Sequence, residues 1–346
     1  MNKQFLWGAV GQSIRTLGKL AFLLQNDNGK IIRFNTALGT DNMGDYIIMH
    51  YCNEILDELF PAYQSIHIGT HLMPDKEQEV AVKQTKYKFV CGTNLLTSNI
   101  EHHWRWILPD GIRRKMNYRS IILLGVGWGE YQDKCTHYSR MIYRTMLNSN
   151  MLHSVRDQYT LEKLQQVGFK NVINTGCPTT WALTPEFCRD IPTKKSKNVV
   201  ATITDYRRDI EKDNEMLAIL NRNYDHIYLW LQGKHDEEYL KTLNIPENLT
   251  IIPASLEAYE EVLRKGGVDY VGTRLHAGIH ALNYKIRSII LAVDNRATEM
   301  GRDVNLPVIP RSEITETLEK KIQSEFVTEI QIRQDNIESF KAQFRR

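Results

Sequence analysis

The chain has 346 residues, with 44 Lys and Arg against 41 Asp and Glu, a formal charge of +3. That near-neutral balance excludes a dedicated nucleic-acid binder, which carries a basic excess or stripe. Hydrophobic residues at 42% and charged residues at 25% exclude wholesale disorder, and the length predicts two domains.

In chain order, residues 1–29 hold an apolar-rich stretch, Phe5 to Leu24, interrupted by Arg15 and Lys19. Leu6, Val10, Ile14, Leu17, Ala21 and Leu24 recur at spacings of three or four, which predicts an amphipathic helix. Two readings of it stay open. The helix docks on the protein core, or residues 5–24 make a peripheral membrane contact with Lys3, Arg15 and Lys19 toward headgroups. No run of about 18 uncharged apolar residues exists to span a bilayer.

Residues 30–184 then alternate strand and helix. Strands are predicted at Lys30–Phe34, Tyr87–Cys91, Ser120–Leu124, Met151–Val155 and Lys170–Asn174, with helices at Asp45–Phe60 and Tyr159–Val167. Residues 185–198 contain Pro185, Pro192 and a lysine run, and read as an interdomain linker. Residues 199–346 repeat the alternation. Strands fall at Val199–Ile203, His226–Leu231, Leu249–Ile252, Val268–Gly272 and Ser288–Val293, followed by a polar helical tail. Buried strands alternating with amphipathic helices predict an α/β protein: two Rossmann-like domains facing each other across a cleft, each with a mostly parallel sheet.

Cysteines stand at 52, 91, 135, 177 and 188, none spaced C-x-x-C. The odd count suggests reduced thiols and a cytoplasmic protein, and no metal-ligand spacing is visible. P-loop, H-E-x-x-H and G-x-S-x-G patterns are absent, and Gly125-x-Gly127-x-Gly129 lacks the dinucleotide spacing.

In open α/β sheets ligands bind beyond the carboxyl ends of strands, so the residues after each strand are the candidates. Asn42-Met43-Gly44-Asp45 opens a helix. Its backbone could receive an anion or hydroxyl and Asp45 could act as base, or Asn42 and Asp45 simply cap the helix. Arg156, in Ser154-Val155-Arg156-Asp157, either clamps an anion or pairs with Asp157. Arg207 and Arg208 follow the strand at Val199 and are either solvated or anion-binding. The strongest segment is Thr273-Arg274-Leu275-His276-Ala277-Gly278, where a strand runs into Arg and His at the start of a small-residue helix. That arrangement either favours a dianionic ligand or makes an Arg–carboxylate pair beside a structural histidine. Asp294-Asn295-Arg296 follows the next strand and could line the same cleft.

Taken in order, Asn42-Met43-Gly44-Asp45, Ser154-Val155-Arg156-Asp157, Gly176-Cys177-Pro178, Arg274-Leu275-His276 and Val293-Asp294 resemble the polysaccharide pyruvyl transferase superfamily. The resemblance implies a GT-B-like pair of Rossmann domains and transfer of pyruvate from phosphoenolpyruvate to a sugar of a cell-surface polysaccharide or its precursor. It implies donor contacts at Arg274 and His276, with phosphoenolpyruvate as co-substrate and no other cofactor. Arg156, Arg207, Arg208 and Arg296 supply further donor-side charge. His276 is the candidate acid and Asp45 the base, without a metal. Asn42, Gly44, Asn94 and Asp294 are expected on the acceptor side. Trp104, Trp106 and Trp128 add aromatic faces for a sugar. The alternative is a GT-B glycosyltransferase using a nucleotide sugar, against which the helix Ala277–Tyr284 carries no acidic residue for a ribose.

Overall fold

The computed structural model describes Phe22 and residues 25–102, 105–109, 117–233 and 235–345. The expected N-terminal helix therefore lies outside the described residues, apart from Phe22, which is buried edge-on to Tyr87.

The chain forms two compact units. The first comprises residues 1–40, 49–178 and 333–346, the second residues 41–48 and 179–332.

In the first unit the order is β1 (Lys30–Asn35), α1 (Met43–Leu59, whose residues up to 48 belong to the second unit), β2 (Gln64–Gly69), α2 (Lys76–Gln84), β3 (Tyr87–Cys91) and β4 (Ile121–Leu124). Next come α3 (His137–Met146), β5 (His153–Val155), α4 (Gln158–Val167) and β6 (Val172–Asn174). Four parallel strands pair in the order β2-β1-β3-β4, and β5 pairs with β6. The bonds Gly125 N to Ser154 O and Arg156 N to Val126 O carry the ladder on from β4 toward β5. All residues of β3 and β4 are buried, as strands covered on both faces must be.

The second unit runs α5 (Pro185–Cys188), β7 (Asn198–Thr202), α6 (Ile210–Asn223), β8 (His226–Trp230), α7 (Asp236–Leu240) and β9 (Leu249–Ile252). It continues α8 (Leu256–Lys265), β10 (Val268–Gly272), α9 (Leu275–Asn283), β11 (Ser288–Ala292), α10 (Asn295–Val304), β12 (Val308–Pro310) and α11 (Ile314–Gln323). Its six strands pair in the order β12-β11-β10-β7-β8-β9, all parallel. Counted from its own first strand, that is the order 3-2-1-4-5-6 of a doubly wound Rossmann sheet. Strand β10 buries Asp269 in the core, where Arg287 (2.7 Å) and the Tyr224 hydroxyl (2.8 Å) hold it. A buried charge persists only when paired in this way.

The α/β class with parallel sheets agrees with the sequence reading, but several elements differ. The sequence patterns mark neither strands β2 and β12 nor helices α2, α3, α7 and α10. The segment 185–198 is no free linker: it holds α5, buries Cys188 and Ile191, and accepts Phe326 N at Thr193 O. The tail does not stay with the second half. Its last helix, α12 (Gln334–Ala342), belongs to the first unit, where Phe344 packs 5.4 Å from both Phe60 and Phe89. Among the described residues, no helix is long and apolar enough to cross a membrane.

Candidate active site

The strand order of the second unit reverses between β7 and β10. At such a switch point the two flanking crossovers leave on opposite faces and open a crevice beyond the carboxyl ends. Here β7 leads into Ile203, Thr204 and Asp205, and β10 into Thr273 and Arg274.

The two strand ends are laced together. Thr273 N donates to Thr202 O (3.2 Å), Arg274 N to Thr202 Oγ1 (3.2 Å), and the Thr204 and Thr273 hydroxyls meet at 2.8 Å. The buried Tyr270 hydroxyl lies 2.7 Å from Thr202 Oγ1 and donates to Arg274 O. Gly272 permits this closeness, since a Cβ there would lie 2.7 Å from Thr202 N.

Arg274 is thereby fixed at the start of α9, only 5% exposed. Its Nε donates to Ile203 O (2.9 Å), and its Nη2 donates to Asp205 (2.9 Å) and Asp236 (2.6 Å). The guanidinium also lies over the Tyr206 ring at 5.0 Å. Asp236, fully buried, accepts from the backbone N–H groups of Asp205, Gln232 and Gly233 as well. Burial pushes its carboxyl pKa up, while Arg274 and those N–H groups pull against that rise. The side chain of Arg274, the N-cap residue of α9, makes no capping bond to the helix start. By contrast Asp157, Asp209, Ser255 and Asp294 cap α4, α6, α8 and α10. An uncapped helix start beside a guanidinium suits an anion.

An open recess of about 360 Å³, counting its mouth, lies at this point, and every residue lining it belongs to the second unit. Arg274, His276, Arg296, Asp294, Asn42 and Gly44 line it together with Tyr206, Gln232, Thr273, Leu275, Val293 and Ala297. His276 is 6% exposed in the first turn of α9. Arg296 is already engaged: Nε and Nη2 donate to Asp294, and Nη2 donates to the Tyr206 hydroxyl at 2.6 Å. Asn42 Oδ1 accepts from Gly44 N (3.2 Å), and its Nδ2 donates to Asp45 (3.3 Å).

A sequence profile of the polysaccharide pyruvyl transferase family matches residues 42–295, which takes in all the lining residues but Arg296 and Ala297. The chain belongs to the polysaccharide pyruvyl transferase family. No curated relative matches it. Among solved structures, the E. coli heptosyltransferase WaaC with ADP is similar at 12% identity and a TM-score of 0.35, over 76% of this chain and 86% of that one. The fold assignment rests on the strand order of the two sheets.

Six of the residues singled out in the sequence of this family member thus line one recess: Asn42, Gly44, Arg274, His276, Asp294 and Arg296. Others lie elsewhere. Asp45 is buried but does not line the recess. Arg207 and Arg208 are exposed, and Arg208 lies over Tyr239 at 5.2 Å. Arg156 and Asn94 belong to the first unit. Arg156 is 1% exposed against Gly127 and pairs with Asp157, its Nη2 at 3.0 Å. Asn94 follows β3, with Oδ1 buried and without a partner among the described residues. Of the aromatics expected to face a sugar, Trp128 is a core residue packed on Tyr143, and Trp106 meets Phe34 edge-on. Trp104 lies outside the described residues, and His102 is exposed. No group of three or more His, Cys, Asp or Glu among the described residues is placed to hold a metal.

Sequence reasoning missed Tyr206, Gln232 and Asp236. The rule of reading past each strand end would have reached Gln232 and Asp236 had it been applied to β8.

Proposed function

We propose that this family member transfers the pyruvyl group of phosphoenolpyruvate to two hydroxyls of one sugar residue, forming a cyclic ketal and releasing phosphate. The observation that carries the reading is the placement of Arg274 and His276 on one recess, at an uncapped helix start on the Rossmann switch point. A small donor with a phosphate and a carboxylate needs fixed cations and backbone donors, and this end of the sheet supplies both.

In this reading Arg274 and the first turn of α9 hold the anionic donor. His276 delivers a proton to the methylene carbon, drawing the C2=C3 electron pair into the new C–H bond. A sugar oxygen bonds to C2 and gives up its proton. The C2–O bond to phosphate then breaks, and a second sugar oxygen closes the ketal. One hydroxyl proton restores the acid and the other leaves with phosphate. Asp45 accepts from the Asn42 amide at the rim and does not line the recess, so its part in this reading is to position Asn42 rather than to take the proton itself. The reading places the reaction in the cytoplasm, with a glycan or its precursor as acceptor and no cofactor beyond the co-substrate.

Incubation with phosphoenolpyruvate and a panel of glycans tests it. Phosphate release matched by a ketal-pyruvate mass gain on one glycan is the expected result. Phosphate release without a glycan product, or no turnover with any acceptor, counts against it.

A further inference from the structure

Gln232 lies just past the carboxyl end of β8, and its main chain is tied down on both sides. Its N–H donates to Asp236 Oδ2 (2.9 Å), and its carbonyl accepts from Met43 N (3.2 Å). The next residue, Gly233, lies so close to Arg274 that a Cβ there would be 3.3 Å from Nη2. Gln232 lines the recess and is 1% exposed, yet neither Oε1 nor Nε2 has a hydrogen-bond partner among the described residues. Burying an amide with both ends unmatched costs stability and is uncommon in native proteins. An apolar side chain of the same length would fill the space without that cost. The unmatched pair is therefore best explained by what enters the recess.

We propose that Gln232 contacts both substrates at once, Nε2 donating to the anionic pyruvyl donor and Oε1 accepting from an attacking hydroxyl of the sugar. Complementarity leads to this division. Phosphoenolpyruvate in its ionised form offers only acceptors, so it can satisfy Nε2 but not Oε1. A sugar hydroxyl brings the missing donor. One amide on the recess that Arg274 also lines then aligns the attacking oxygen with the carbon it must reach, a gain in orientation rather than in acid–base chemistry. This inference rests on the pyruvyl-transfer reading above.

The test compares wild type with Gln232→Met, Gln232→Glu and Arg274→Lys. Phosphoenolpyruvate affinity is read by calorimetry, KM for donor and glycan by phosphate release, and folding by melting temperature. Gln232→Met removes both polar atoms at similar length. It should melt at or above the wild-type temperature while both KM values rise about tenfold or more. Gln232→Glu keeps an acceptor oxygen but puts a carboxylate beside the donor anion. It should weaken phosphoenolpyruvate binding more than it raises the glycan KM. Wild-type affinity and KM values in Gln232→Met, with Arg274→Lys impaired, would overturn the Gln232 proposal and leave the pyruvyl-transfer reading standing. A melting temperature well below wild type in Gln232→Met would mark the amide as structural and also overturn it. Failure of the wild type to bind phosphoenolpyruvate would remove the reading, and this inference with it.

Discussion

The Nη2 of Arg274 donates to the fully buried carboxylate of Asp236 at 2.6 Å, joining the end of β10 to the start of α7. The same nitrogen reaches Asp205, after β7, at 2.9 Å. The guanidinium, itself just past β10, is thus held by groups that follow two other strands, β7 and β8, before any ligand arrives. Donors fixed in this way need no reorganisation during a reaction.

Removing Arg274 should have two separable effects. Arg274→Ala leaves Asp236 buried without its cation, which should cost about 3–5 kcal/mol of folding stability in chemical denaturation. Asp236→Asn in that background should return part of it. Arg274→Lys keeps a charge but lacks the planar fork that serves Ile203 O and both carboxylates. It should remain folded while kcat/KM falls by the equivalent of about 2–4 kcal/mol. Wild-type turnover in Arg274→Lys would remove Arg274 from the donor site.

His276→Gln retains hydrogen-bonding capacity and gives up the proton carrier. Turnover should fall roughly 10²-fold with an unchanged circular dichroism spectrum. If the rate and its pH profile both match wild type, His276 has no part in proton transfer.

Gly272→Ala should loosen the site from the strand side. The added Cβ would sit 2.2 Å from Thr202 Oγ1 and 2.7 Å from Thr202 N. Strands β7 and β10 would have to part, at about 1–3 kcal/mol, and Arg274 would lose its Thr202 anchor. Thr202→Ala in the same background should recover only part of the stability, because the backbone contact remains. Full recovery would locate the strain in the hydroxyl alone.

His153 predicts acid sensitivity in the first unit. Its Nδ1 accepts from Leu123 N (3.2 Å), and its Nε2 donates to Asn148 O (2.7 Å), so the ring is held neutral. Burial lowers its pKa to about 4. The unfolded chain takes up this proton near pH 6.5 and the folded chain only near 4. Stability is therefore full above the upper value and falls as pH drops toward the lower. The slope from this residue approaches about 1.4 kcal/mol per pH unit. His153→Gln should flatten urea midpoints across that window. A wild-type slope in the variant would assign the sensitivity to other groups.

Much of the site could be read along the chain because its parts sit at strand ends. Arg274 and His276 follow a fully buried strand, and Asn42 and Gly44 open a helix. Local pattern marks such places, since a parallel sheet exposes backbone at its carboxyl ends and little else there is polar. The residues that complete the recess are less visible. Asp236 opens a helix of five residues with weak periodicity, and Tyr206 sits in a single turn of 3-10 helix. Both acquire meaning only against Arg274.

The sequence by itself determined the alternation of strand and helix, the burial of the central strands, and the family to which the ordered motifs belong. These follow from periods of two and 3.6 residues and from glycine, proline and capping residues, all of which act within a few positions. Tertiary structure alone decided which cations share a recess. Arg274 and Arg296 line one in the second unit, each already paired with carboxylates, whereas Arg156, paired with Asp157, lies in the first unit. It also decided that α12 returns to the first unit, where Phe344 finds Phe60 and Phe89. Pairing and packing between residues far apart in the chain depend on the fold that brings them together, and short-range patterns carry no record of it.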